Sequence, residues 1–236
     1  MATLITLMGG PSEFVRRLDY LHDHGLADIG NEPSFLTVFQ YHYAARPAKS
    51  AQRAHFYIPS HFQSTPSGLP GNDDSGTMGA FVAMSMMGLF PNPGQNVYLI
   101  TPPFFASVSI TSPTSNRTAT IRVENFDPAY RNLYIQSAVL DGKPYTKNWV
   151  SHNFFIQGQE LVLVLGRNES QWGTKEEDLP PSVSTKGDVS SLTHERSILD
   201  MLDIETRAAK KRGRSEHVGY HAKAVRGRKH FNMFTT

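Results

Sequence analysis

The chain has 236 residues, no cysteine, 39% hydrophobic residues and 19% charged residues. That length carries one large domain or two small ones, and the lack of cysteine excludes disulfides, thiolate-bound zinc and thiol nucleophiles. The formal charge of +2 hides an asymmetry: residues 1–185 hold 12 Lys/Arg against 15 Asp/Glu, while residues 186–236 hold 11 against 6. The main body therefore offers no basic surface for nucleic acid, and charge runs like those of the tail are commonly solvated.

Met1–Met8 has no positive leading region and no cleavage pattern, so it does not read as a signal peptide, and no apolar run is long enough to span a bilayer as a helix. Phe14, Leu18 and Leu21 share a helical face, with Ser12 a candidate cap near Glu13 and Gly25 a candidate stop. Pro33 suits the first turn of a second helical run, Phe35 to Tyr43. A third spans Ala51 to Ile58, and a fourth, Met78 to Leu89, ends at Gly88 before Pro91.

The pattern changes after Pro93. Short strand-like runs cover Val97–Ile100, Ser107–Ile110, Ala119–Val123, Tyr134–Leu140, Phe154–Ile156 and Glu160–Leu165, divided by turn signals such as Asp141-Gly142. These runs predict an α+β fold: a helical block over 1–95, then an antiparallel, sandwich-like β region over 96–180. From 181 to 236 the sequence reads as a basic, weakly ordered tail, with one short helix expected in 192–209. Asn116-Arg-Thr118 and Asn168-Glu-Ser170 permit N-glycosylation in a secretory compartment, although such tripeptides arise readily by chance.

Gly68-Leu-Pro-Gly-Asn72-Asp73-Asp74-Ser-Gly76 holds adjacent carboxylates in a glycine-flanked loop that opens an apolar helix. Such a loop can activate water or bind a hard cation; it can equally be a cap in which Asp73 or Asp74 satisfies first-turn amides. Gly30-Asn31-Glu32-Pro33 offers the same choice, since a carboxylate at a helix mouth is favoured even without function. The histidines lack zinc spacing, and no Gly-x-Ser-x-Gly elbow is present. His152, in Trp149-Val-Ser-His152-Asn, reads either as a hydrogen-bonding residue of the β region or as a sugar contact.

Several segments together resemble the α-mannosidases of glycoside hydrolase family 92: Leu26-Ala-Asp-Ile-Gly-Asn-Glu-Pro-Ser-Phe35, Gly68–Gly76, Met86-Met-Gly-Leu-Phe-Pro91, Tyr134–Tyr145, Trp149–His152 and Gln171-Trp-Gly173, in matching order and spacing over about residues 1–175. The resemblance implies a calcium-dependent, exo-acting, inverting hydrolase of α-mannosides, N-glycans or mannan. It further implies that residues 1–95 are the last helices of an (α/α)6 barrel. Asp74 is then the candidate water activator and Asp73 its partner. Glu32 and Asn31 are candidate calcium ligands, and Glu32, Asn72 and His152 are candidate substrate contacts; Asn72 takes a position that is a carboxylate in some members.

The family's general acid lies in a stretch preceding the matched segments, so the resemblance implies a chain that is inactive by itself. It also implies a secreted protein, with the cytoplasm as the alternative. The competing functional readings are a non-catalytic carbohydrate- and calcium-binding protein, or a structural interaction fragment.

Overall fold

The computed structural model describes residues 1–182 and Ser184; the tail's basic clusters and the helix expected in 192–209 lie outside these residues. The described residues fall within one compact unit, Met1–Gly187. Its fold is α+β, with helices α1 (Ala2–Leu7), α2 (Pro11–Asp23), α3 (Phe35–Phe39), α4 (Pro47–His61) and α5 (Thr77–Met87) preceding the strands. Helix α1 was not anticipated from sequence. The second helix starts earlier than its pattern suggests, because Pro11 occupies the first turn after Gly10, and Ser12 makes no capping hydrogen bond.

Two sheets follow. The first has order β1-β2-β7, from Leu89–Pro91, Tyr98–Ile100 and Trp149–Val150. The second has order β3-β4-β8-β5-β6, from Ser107–Thr111, Thr118–Glu124, Glu160–Gly166, Tyr134–Leu140 and Lys143–Pro144. All pairs are antiparallel except β4 and β8, which run parallel from Thr120↔Glu160 to Glu124↔Val164.

The small sheet separates two cores because successive strand residues point to opposite faces. Phe90 and Leu99 join the helical core of Phe14, Leu18, Phe39 and Phe81. Their neighbours Leu89 and Ile100 join the core between the sheets, with Ile121, Leu161, Leu163 and Trp172. The result is three layers, helices on a small sheet on a larger one. His42 fastens the helices to the small sheet: fully buried, it reaches the Ile100 carbonyl through Nε2 at 2.9 Å.

The strand expected at Phe154–Ile156 is instead a single helical turn, α6 (Asn153–Gln157), closed by Gly158 at φ 65°. Three apolar residues fit either period equally well; here the left-handed glycine stop decided the outcome.

Candidate functional site

Two loops meet at the helical end of the molecule. In the first, the Gly30 N–H donates to Asp28 Oδ1 at 2.9 Å and the Asn31 N–H to the Asp28 carbonyl at 3.1 Å, forming a tight turn. Glu32, Pro33 and Ser34 then make one turn of 3₁₀ helix leading into α3. In the second, Asp74, Ser75 and Gly76 adopt positive φ of 42°, 65° and 86°. Left-handed backbone at non-glycine residues costs about 1–3 kcal/mol each and gathers at functional loops. The turn is held by the Thr77 N–H to the Asp73 carbonyl at 2.8 Å and by Thr77 Oγ1 to the Asp74 carbonyl at 2.7 Å.

The loops touch through glycines. A Cβ on Gly71 would stand 2.1 Å from the Gly30 carbonyl oxygen, and one on Gly30 would stand 2.8 Å from the Pro70 carbonyl oxygen. Neither position has room for a side chain, so backbone contact brings Asn31-Glu32 beside the Asn72-Asp73-Asp74 loop although some forty positions separate them. Glu32 and Thr77 then line one groove of about 440 Å³, whose wall is Phe35, Phe81, Met84 and Phe90. Stacking rigidifies that wall, with Phe35 on Phe81 at 4.3 Å and Phe39 on Phe90 at 4.0 Å.

The carboxylates differ in environment. Glu32 is half-buried, and its Oε1 is buried with no hydrogen-bond partner among the described residues. A buried carboxylate oxygen left unpaired is costly, which suits a site whose missing partner is a ligand or cation. Asp73 is exposed and accepts a hydrogen bond from the Gly79 N–H at 3.3 Å, acting as a cap inside the first turn of α5. Asp74 is exposed, and its carboxylate makes no hydrogen bond among the described residues. Asn31 and Asn72 are likewise exposed on the two loops.

His152 is placed elsewhere. Its Nδ1 meets Tyr98 Oη at 2.9 Å, and its N–H donates to Asn96 Oδ1 at 2.6 Å. Tyr98 packs toward the core between the sheets, on the face of the small sheet opposite Phe90. The structure therefore brings Glu32 together with the Asp loop but does not bring His152 to that groove. Met84 and Phe90 escape a search for carboxylates; for Met84 the available signal is the stripe Thr77, Ala80, Phe81, Met84 on α5.

The donors at this junction are hard oxygens, which calcium prefers, and the orphaned Glu32 Oε1 is such a donor. Among the described residues no three His, Cys, Asp or Glu side chains gather as a ready-made metal cage. A cation here would need the rest of its shell from carbonyl and amide oxygens and from water, ligands that calcium commonly takes.

The helical end of the molecule thus carries two touching loops that hold Glu32, Asp73 and Asp74, beside an aromatic-walled groove that Glu32 lines. The chain belongs to glycoside hydrolase family 92: residues 1–167 match the family's model, described as the glycosyl hydrolase family 92 catalytic domain. A protein of Arthroderma benhamiae named an uncharacterized secreted glycosidase is 62% identical over 183 residues, covering 78% of this chain and 24% of that protein. The structure of a family 92 α-mannosidase from Bacteroides thetaiotaomicron superposes with a TM-score of 0.68 and 26% identity over 74% of this chain and 24% of that one. A family 92 inverting mannosidase from the same bacterium gives 0.68 and 26% over 77% and 28%. The chain thus spans about a quarter of the length of these relatives.

Among the described residues, no helix is long and apolar enough to cross a membrane.

Proposed function

We propose that this chain supplies the base side of the sugar site in a calcium-dependent, exo-acting, inverting α-mannosidase acting on N-glycans or mannan. The observation that carries the reading is the glycine-to-glycine contact that sets Glu32, with its unpaired buried oxygen, beside the Asp73-Asp74 loop. Asp74 is the water activator, because its carboxylate is uncommitted and stands on a strained turn. Asp73 holds that turn through Gly79. Glu32 and Asn31 would hold the calcium, which would orient and polarise sugar hydroxyls. Glu32 and Asn72 face the mannose, while the buried, stacked pair Phe35 and Phe81 stiffens the wall of the groove that Glu32 lines. Residues 1–95 serve as the closing helices of an (α/α)6 barrel. Secretion is proposed on the strength of the fungal relative's name.

Inversion needs a second carboxyl group, protonated and about 6.5–9.5 Å from the base, to deliver a proton to the leaving oxygen. Glu32 is the sole carboxylate lining the described groove. Glu13, the acid of α2 closest to the chain start, is bound to Arg16 and Arg17, which hold its pKa down at about 2, so it cannot carry that proton. The 236-residue chain alone is therefore expected to release no mannose from an α-1,2-linked mannobiose, with calcium supplied, beyond an Asp74→Asn control. Free mannose followed by mass spectrometry decides the point. Calcium-dependent turnover abolished by Asp74→Asn would show that the chain holds its own acid. Calcium-dependent mannoside binding without turnover is the expected companion result, and its loss in Glu32→Gln locates the site.

A further inference from the structure

The β3–β4 hairpin carries a feature that the sugar site does not use. Asn116-Arg117-Thr118 forms its tip and the start of β4. Asn116 is exposed at φ 52°, its N–H donates to the Ser112 carbonyl at 2.9 Å, and its side-chain amide has no hydrogen-bond partner among the described residues. The strand it follows, β3, is an outer strand that pairs only with β4 among the described residues. An outer strand exposes unpaired N–H and C=O groups, and natural sheets guard such edges with charges, prolines or bulges.

The two edges of this sheet are treated differently. The far edge, β6, consists of Lys143 and Pro144, a charge and a residue without an N–H. The β3 edge reads Ser-Val-Ser-Ile-Thr, β-prone and uncharged, with an exposed face at Ser107, Ser109 and Thr111. It has none of the usual protection, and the Asn-x-Thr tripeptide sits at its end.

We propose that Asn116 carries an N-linked glycan and that this glycan shields the β3 edge from pairing with a second copy. The inference rests on the secretory reading above, since the donor, a polyprenyl-diphosphate-linked oligosaccharide, is met there. In the transfer, Asn116 Nδ2 forms a bond to C1 of the oligosaccharide. The C1–oxygen bond to the diphosphate breaks, and the amide gives up one proton to the transferase. The fold accommodates the product because the tip is open to solvent. Asn168 is also exposed but follows the central strand β8, where no edge needs cover.

The test places the whole 236-residue chain behind a secretion leader in yeast and recovers it from the medium. Peptide mass spectrometry after amidase release of N-glycans is expected to show Asn116 converted to Asp, and unconverted in Thr118→Ala. Light scattering on concentration is expected to rise several-fold for Asn116→Gln relative to the glycosylated chain. Asn116→Gln combined with Ser109→Lys, which puts a charge on the bare edge, is expected to return to the glycosylated level. An unmodified Asn116 in secreted chain overturns the proposal, as does an Asn116→Gln variant that stays as monodisperse as the glycosylated one. The leader imposes the route, so these outcomes do not depend on where the natural host sends the protein; the host's own culture medium answers that question separately.

Discussion

Gly71 shows how one missing side chain sets a site. Its backbone is pressed against the Gly30 carbonyl, leaving 2.1 Å where a methyl group would stand. Overpacking of this kind costs about 1–3 kcal/mol, and the nearest neighbour here is the Gly30 backbone, which cannot swing aside as a side chain can. Gly71→Ala is expected to lower stability by that amount in urea titration and to weaken calcium-dependent mannoside binding as the loops part. A variant as stable and as competent as the parent would show that the loop contact is dispensable. A second residue-scale effect comes from two imidazoles. His42 Nε2 lies 2.9 Å from the Ile100 carbonyl, and Nδ1 lies 3.0 Å from Ser50 Oγ and 3.2 Å from the Phe39 carbonyl, so the ring is held on both sides. Burial pushes the pKa of His42 down to about 4, and that of His55, stacked on Phe104 with Nε2 on the Pro102 carbonyl, down to about 4 as well. Both values lie below the ordinary 6.5. The unfolded chain therefore takes up protons that the folded chain refuses, and stability falls as pH drops from about 6.5 toward 4, then levels off. The loss is about 3 kcal/mol for the fully buried His42 and smaller for half-buried His55. Urea midpoints at pH 7.5 and pH 5 should differ in that direction, and His42→Gln should flatten the slope.

At the scale of elements, the sequence was legible where a long period repeats and was ambiguous where it does not. Helix α5 was readable from its apolar run and from Gly88, whose φ of 82° stops it; a Cβ there would also meet the Thr101 carbonyl at 2.5 Å. The strands Ser107–Thr111, Thr118–Glu124, Tyr134–Leu140 and Glu160–Gly166 follow the expected runs within a residue or two. Phe154–Ile156 failed because three apolar residues carry no period. The parallel pairing of β4 with β8 was invisible for a different reason: strand direction depends on which segments meet, and residue patterns record only which face is buried. The site divides in the same way. Carboxylate loops at helix mouths can be recognised locally, but the meeting of the loop before Glu32 with the loop before Asp73 depends on a long-range glycine contact. The aromatic wall makes an element-scale prediction: Phe39, fully buried and stacked on Phe90, should cost about 3–5 kcal/mol when changed to Ala. Phe39→Leu, which refills most of that volume, should recover the greater part of the loss in the same titration.

Across the whole molecule, the change from helices to strands near residue 95 marks a change of secondary structure within one compact unit. The small sheet contributes Phe90 and Leu99 to the helical core and Leu89 and Ile100 to the core between the sheets, so neither core is closed without it. His42 and Asn148 tie the layers further. Asn148, fully buried in the β-rich part, donates through Nδ2 to the His42 carbonyl at 3.2 Å and to the Gly173 carbonyl at 2.8 Å. Opening one layer would strand these groups without partners in the interior, at about 1–3 kcal/mol each. Helices and sheets are therefore expected to unfold together. Trp149 packs against the helical core and Trp172 lies in the core between the sheets. Tryptophan fluorescence thus reports on both cores and far-UV circular dichroism on the secondary structure of both layers, and their urea transitions should coincide in midpoint and slope. A fluorescence transition in two steps, or one that departs from the dichroism transition, would show that the two cores melt separately, and that the small sheet does not bind them into one cooperative unit.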